Sequence, residues 1–530
     1  MNEHHDQSAV DVPAESETAA AEAAEQEQPW LRLDRRMLLV HPVTEVVKLL
    51  PVLLISVVLG RQSGNHLWGL GVVTVLVVYG VLRWVTTTYR IGPVHVQLRT
   101  GVFQKKLLSV PRSRIRSVDV EAGVMHRLLG LSVVRIGTGQ QAGGRHESNK
   151  FELNALATAV VSELRSALLA GARSEPRPNG SDGSTAVTTV PTDVEIGHWR
   201  VGWVRYAPFS VTGIAIIAAI VGISFQYGIG SAVANSSTVT DSVNRLEGLG
   251  VTVLVVLLLL VLLVLASAFA CAQYLIAFGN MTLRDNGSVL HVSHGLLSTR
   301  QTTLDRARLR GTTLKEPLLL RLAGGARLDA IMTGVSAEKK ESSLLLPQGP
   351  RAEATRVMAT VIGDSRQATT ALIEHGPAAR RRRFTRALYP AAVALIAALV
   401  CLWCGVRVPV FVWIGVAVLT LGGIALAVDR YRGLGHAVLP GWLITRSGSL
   451  DRKRHSLEAD GVIGWTVRQT FFQRRAGVAT VIAATPAGTG SYAVVDIAAT
   501  NAWQLVDAVT PGGGDVWARP ISTDASADRR

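Results

Sequence analysis

The sequence predicts a helical membrane protein with β-rich modules: six transmembrane helices as three hairpins, each hairpin followed by a small β-barrel or sandwich with a C-terminal helix. Three observations predict it. Six long apolar stretches come in pairs, the polar segment after each pair repeats, and hydrophobic residues reach 48% of the 530 while charged ones fall to 18%, against about 25% in an average soluble domain. The composition excludes a wholly soluble enzyme and a disordered chain. The net charge of +15, from 54 Lys and Arg against 39 Asp and Glu, points first to an anionic membrane surface and only second to nucleic acid. Three cysteines, Cys271, Cys401 and Cys404, all in apolar runs, make no disulfide framework.

The apolar stretches are 43–59, 67–85, 206–224, 249–278, 388–403 and 408–428, each near the roughly 20 residues that cross a bilayer. The fourth contains a charge-free run of Val, Leu and Ala. The first is interrupted by Glu45, Lys48 and Pro51. Glu45 and Lys48, near a helix end, read as an interfacial pair rather than an intramembrane ion site. Short connections at 60–66 and 404–407 make the first and third pairs hairpins. Trp68, Trp84, Trp199, Trp203, Trp403 and Trp413 fall near span ends, where amphipathic rings prefer the headgroup level. Basic clusters (Arg32, Arg35, Arg36; Arg83, Arg90; Arg200, Arg205; Arg380 to Arg383 with Arg386; Arg430, Arg432) share one side, whereas the loop 226–248 holds only Arg245. That asymmetry makes a multi-pass cell-membrane protein with both termini and all large polar segments in the cytoplasm.

The polar segments carry a threefold repeat. Copies begin at Gly101, Gly295 and Gly448 and align without a gap through a branched apolar residue, Ile115, Leu309 or Val462. They continue to an R-x-x-G: Arg127 and Gly130, Arg321 and Gly324, Arg474 and Gly477. Alternating segments at 94–98, 133–136, 289–292 and 478–482 read as strands. Helical patterns at 155–169, 351–362 and 500–509 close the copies. The organisation is then a disordered acidic tail at 1–36, hairpin 37–88, module 89–171, flexible linker 172–195, hairpin 196–278, module 279–366, hairpin 380–430, module 431–510 and a disordered tail at 511–530. No cleavable signal peptide is visible.

Tyr89-Arg90-Ile91, the run Val110-Pro111-Arg112-Ser113-Arg114-Ile115-Arg116-Ser117-Val118, and Arg127-Leu128-Leu129-Gly130-Leu131 resemble the bacterial pleckstrin-homology-like (PH-like) domain. The version is the one found in multi-pass membrane proteins of the YdbS/YdbT type. Copy 2 departs from the pattern, with Leu304-Asp305 in place of Val-Pro, and copy 3 departs further by lacking the basic stretch. The resemblance implies a split or bent seven-stranded barrel capped by a helix, and no reaction.

Chemistry is sparse. Cys401 and Cys404 have C-x-x-C spacing but sit in an apolar span without partners, so packed or lipid-facing thiols are the simpler reading. The glycine-rich run from Gly137 to Gly144 reads as a hairpin turn rather than a dinucleotide loop. His4 and His5 fall in the acidic tail read as disordered, a poor place for a metal site, and His291 and His294 lack a third ligand. No catalytic residue, cofactor or metal site is assigned. Lys105, Lys106, Arg112, Arg114 and Arg116 in copy 1, and Arg306, Arg308 and Arg310 in copy 2, are the candidate binding residues. A strand would bring each alternate-residue Arg triplet to one face, suiting anionic headgroups. The other reading is a solvated edge strand whose charges block edge pairing. The stripes lack interleaved aromatics, against nucleic acid. The expected function is non-enzymatic: a scaffold binding anionic lipid, or a segment of another membrane or cytoplasmic protein, in an envelope-stress or secretion assembly. A transporter or lipid-handling protein using the six helices is the alternative. Reporter fusions after residues 171 and 366 and at the C-terminus should report cytoplasm, and one within 231–242 the outside; a cytoplasmic signal from the last breaks the six-span reading.

Overall fold

The computed structural model describes residues 28–37, 84–101, 105–112, 117–137, 151–157, 193–210, 250–334 and 343–513, with a few single positions between them. The chain forms two compact units, 1–193 with 285–306 and 194–284 with 307–530.

In the first unit, β1 (Leu31–Arg32), β2 (Thr88–Ile91), β3 (His95–Thr100) and β4 (Lys106–Pro111) form an antiparallel sheet in that order. After it come β5 (Ser117–Ala122), α1 (Val124–Leu128), β6 (Leu131–Gly137) and β7 (Phe151–Ala157), with β5, β6 and β7 paired in sequence. Alternation puts Val96 and Leu98 of β3 inward. Both sheets share one core, in which Tyr89, Val96, Leu98 and Val110 meet Val118, Val134, Ile136 and Leu153. The tail expected through residue 36 ends earlier than that. β1 pairs with β2, Leu33 enters this core, and the Trp30 ring packs under Arg90 and Arg99 at 4.9 and 4.5 Å. Of the helix expected over 155–169, residues 155–157 instead finish β7, and nearly all the rest lie outside the described residues.

Copy 2 repeats the succession with β8 (Val194–His198), α2 (Gly250–Phe278), β9 (Thr282–Asp285), β10 (Val289–His294), β11 (Thr299–Asp305), β12 (Leu309–Pro317), α3 (Leu318–Leu322), β13 (Gly325–Met332), β14 (Leu344–Pro350) and α4 (Arg351–Ile362). Copy 3, after α5 (Arg366–Thr369), α6 (Gly376–Trp403) and α7 (Val410–Arg432), has β15 (Gly435–Leu439), β16 (Trp442–Ser447), β17 (Asp451–Glu458), β18 (Gly464–Arg468), α8 (Phe471–Arg475), β19 (Val478–Ala484), β20 (Ser491–Ala498) and α9 (Ala502–Val509). In α4 the residues Ala354, Val357, Met358 and Val361 are buried, and in α9 Ala502, Leu505, Val506 and Val509. Both follow the spacing of a helix with one apolar face. In copy 3 a single core joins Leu443 and Leu457, Val481, Tyr492 and Val494, and Leu505 and Val506, so two sheets and the closing helix pack together.

Consecutive copies are joined by strand pairing. In the first unit β11 pairs antiparallel with β5, Leu304 facing Ser117 and Arg300 facing Glu121. In the second, β17 pairs antiparallel with β12, Leu457 facing Gly311, giving a six-stranded sheet in the order β14-β13-β12-β17-β16-β15. The register is the same in both. Ser117 and Gly311 each stand sixteen residues after the leading glycine of their copy, and Leu304 and Leu457 each stand nine after theirs.

The R-x-x-G glycines occupy equivalent places. Gly130, Gly324 and Gly477 each follow a five-residue helix and precede a strand, at φ of 69°, 75° and 67°. That conformation is one L-residues avoid. The leading glycines match in the same way, at φ of 127°, 108° and 100° for Gly101, Gly295 and Gly448.

Three helices among the described residues are long and apolar enough to cross a membrane: Leu260–Phe278 within α2, α6, and α7. The stretch expected at 43–59, and most of 67–85 and 206–224, lie outside the described residues, as do the linker at 174–191 and the loop at 138–144. α6 and α7 pack closely, since a Cβ on Gly423 would stand 2.9 Å from the Ala387 carbonyl oxygen. Trp203, expected at headgroup level, is instead buried against Gly349, because 201–206 form a 3-10 helix folded into copy 2.

Two glycine substitutions should separate backbone strain from steric clash. Gly324→Ala meets no atom within 4 Å and should cost about 1–2 kcal/mol from φ alone. Gly311→Ala, at φ 145°, would put its Cβ 1.9 Å from the Ser456 carbonyl oxygen, opening the β12–β17 joint at a cost above about 3 kcal/mol. Chemical denaturation of the detergent-solubilised variants checks the order.

Candidate functional site at the base of two membrane helices

α6 begins well before its apolar stretch, so Arg380 to Arg383 and Arg386 are helical and lead directly into the span. Arg382 and Arg386, four apart, share a face. α7 ends in Asp429, Arg430 and Arg432. Where the two helices meet copy 3 they leave an open cavity of about 520 Å³ lined by Arg383, Arg386, Arg430, Leu434, Ser447, Gly448 and Val495.

One carboxylate anchors this cluster. Asp496 on β20 is fully buried with φ 58°, an unusual backbone for a residue other than glycine. Its carboxylate accepts a hydrogen bond from Gln473 Nε2 at 2.8 Å and lies 3.0 Å from Arg383 and 3.5 Å from Arg382. Gln473 is itself fixed by a capping box with Thr470 at the start of α8. Asp496 thus pairs with both Arg382 and Arg383 and offsets one of their two charges. Arg386 and Arg430 are exposed and make no ion pair among the described residues. The cavity therefore carries surplus positive charge at the end of an apolar hairpin, on guanidinium groups whose planar donors suit phosphate oxygens.

Across the base of α7, Asp429 accepts from Arg321 and Arg452 at 2.8 Å each and from the Ser449 hydroxyl at 2.6 Å. This is where the Arg of copy 2's R-x-x-G is spent. Arg127 instead donates to the Leu296 carbonyl at 2.6 Å, and Arg474 is exposed. The glycine of the motif keeps one role and the arginine does not.

Beside the cavity, the residue before α6 and the first strand of copy 3 meet through two buried histidines. His375 Nδ1 donates to the Val495 carbonyl at 2.7 Å, which leaves its Nε2 to accept from His436 Nδ1 at 2.9 Å. Both rings are neutral in this chain of bonds. Burial pushes the His436 pKa down to about 4, with the His375 ring adding to the shift, and burial also lowers His375. Burial pushes His455, against Tyr492, to about 4 as well.

The residues expected to bind are elsewhere. Lys105 and Lys106 are exposed, Arg112 is half-buried and donates to the Gly92 and Pro93 carbonyls at 3.4 Å, and Arg114 and Arg116 lie outside the described residues. The second triplet forms no strand stripe. Residues 306–308 are a 3-10 turn that carries the chain from β11 to β12; Arg306 is ion-paired with Asp285, and Arg310 binds Glu458 at 2.8 Å. No group of three His, Cys, Asp or Glu among the described residues could hold a metal. His291 and His294 lie on opposite faces of β10, and all three cysteines are free. The arginines of the cavity were legible as a topology signal, but nothing in the sequence marks Asp496 as their partner.

Sheets that share a core with a closing helix, set against apolar helices, define a class. Residues 40–172 and 389–507 match the family model of the bacterial PH domain. The chain is similar to the UPF0699 transmembrane protein YdbT of Bacillus subtilis (strain 168), 23% identical over 322 residues, 58% of this chain and 63% of that protein. Both matches support the reading of a bacterial PH-like, YdbT-like membrane protein. The matched residues include copies 1 and 3, although copy 2 keeps more of the basic stretch than copy 3 does. No solved structure matches.

The histidines set a pH dependence. A histidine whose folded pKa is depressed binds fewer protons folded than unfolded, so stability is lost as pH falls below about 6.5 and levels off below about 4. The thermal midpoint of the solubilised protein should drop across that window. In His436→Asn the slope should be shallower, measured by fluorescence-detected melting at several pH values.

Proposed function

We propose that this chain is a multi-pass, non-enzymatic membrane scaffold that displays three PH-like modules along the inner leaflet. The cavity of Arg383, Arg386 and Arg430 holds the headgroup of an anionic phospholipid. The observation that carries the reading is the surplus of guanidinium groups around an open cavity at the polar end of an apolar hairpin. Each basic residue near an anionic leaflet contributes about 1 kcal/mol, and partial desolvation strengthens phosphate contacts further.

Backbone closure supports the six-span arrangement. Ile373 and His436 bond reciprocally on either side of α6 and α7, at 2.7 and 3.3 Å. Trp199 donates to the Met281 carbonyl at 2.8 Å across the second excursion, and β1 pairs with β2 across the first. An excursion that leaves and returns at one point crosses a bilayer an even number of times. One crossing by α2 therefore calls for a partner crossing before it, where 206–224 is apolar. The basic clusters then put the modules in the cytoplasm. The transporter reading is disfavoured because Leu260–Phe278, 387–403 and 410–428 contain no Asp, Glu, Lys or Arg, and substrate paths need polar groups at depth.

The double variant Arg386→Gln/Arg430→Gln leaves the Asp496 pairs untouched. It should reduce retention of anionic phospholipid by the purified full chain by about 2 kcal/mol, roughly thirtyfold, counted by native mass spectrometry. Retention equal to the parent rejects the headgroup site.

A further inference from the structure

The joint between copies uses one strand from each. The strand that opens the second half of copy 1, β5, pairs with the strand that ends the first half of copy 2, β11; β12 of copy 2 pairs in the same way with β17 of copy 3. Three copies own three strands of each kind, and the two joints use two of each. The remaining pair is β4 of copy 1 and β18 of copy 3. Among the described residues each ends its sheet, β4 after β3 and β18 beside β19.

We propose that β18 of one chain pairs antiparallel with β4 of a second copy of this chain, extending the internal joint from molecule to molecule. The shared register fixes the contact. Gly464 stands sixteen residues after Gly448, as Ser117 and Gly311 do after their glycines, and Val110 stands nine after Gly101, as Leu304 and Leu457 do. Gly464 therefore faces Val110, Val467 faces Leu107, and Arg468 faces Lys106. Leu107 is 59% exposed and lies on an open edge, where proteins ordinarily place a charge or a cover. In this pairing Val467, partly buried against the copy 3 core, covers it.

Like charge at the last position does not forbid the joint. Lys315 faces Lys453 at the equivalent place in the β12–β17 pairing, and each is balanced by its own aspartate, Asp329 at 2.6 Å and Asp451 at 2.9 Å. At β4 and β18 the positive charges remain, so added salt should strengthen the association. The contact is head-to-tail, joining unlike surfaces, and generates rings or rows rather than a closed twofold dimer. Confinement of both partners to one bilayer supplies the alignment.

Opposed residues in an antiparallel pair lie within disulfide reach, which gives a direct test in native membranes. In a full chain with Cys271, Cys401 and Cys404 replaced by Ala, Lys106→Cys and Arg468→Cys are placed on separately tagged copies and co-expressed. Mild oxidation should give a disulfide-linked species containing both tags, and a chain bearing both changes should give a ladder of multimers. Adding Leu107→Lys, at an exposed position, should reduce the cross-linked fraction at least tenfold without moving the thermal midpoint. No cross-link, a cross-link confined within one chain, or full cross-linking in the Leu107→Lys background overturns the proposal.

Discussion

An edge strand leaves a row of backbone N–H and C=O groups that must find partners, and the architecture depends on how this chain meets that demand. It does not blunt its edges. It spends them on the next copy of itself, β5 on β11 and β12 on β17. The boundary between the compact units accordingly cuts through copy 2 instead of between copies. A repeat built this way has no independent middle member, because the two halves of copy 2 are committed to different neighbours.

Polar groups follow the same logic of local balance. Arg300 at the first joint meets Glu121 and Asp119, Arg310 at the second meets Glu458, and Asp429 holds Arg321 and Arg452 at the end of a membrane helix. Part of the strong basic character read in the sequence is spent on carboxylates inside the fold. The unpaired charge that lines the cavity, on Arg386 and Arg430, lies at the base of α6 and α7. Net charge alone could not have located it, because an ion-paired arginine and a free one look the same in a composition.

The repeat and its glycines were legible because left-handed backbone admits few residue types, so three glycines in register carry a geometric meaning that survives divergence elsewhere. The closing helices at 351–362 and 502–509 were legible from their apolar spacing. What stayed hidden was pairing between distant segments. Leu31–Arg32 and Val194–His198 are too short and too polar to read as strands, and they are set far from their partners by the membrane stretches. The Arg306 triplet misled because an alternate-residue spacing implies one face only if the backbone is extended, and there it turns. Asp496 was invisible because its partners come from a helix more than a hundred residues earlier.

Each copy takes its first strand, or in copy 3 a single bridged residue, from before a pair of apolar stretches and the rest from after it. During synthesis that first segment leaves the ribosome well ahead of the strand it must bond, and in the six-span arrangement proposed above the two can meet only once the intervening stretches have crossed the bilayer and come back. Completion of each sheet is therefore a report on insertion. In that arrangement a hairpin that fails to return leaves its leading strand unclaimed and its module open, exposed to quality-control proteases on the side of the membrane where the ribosome works.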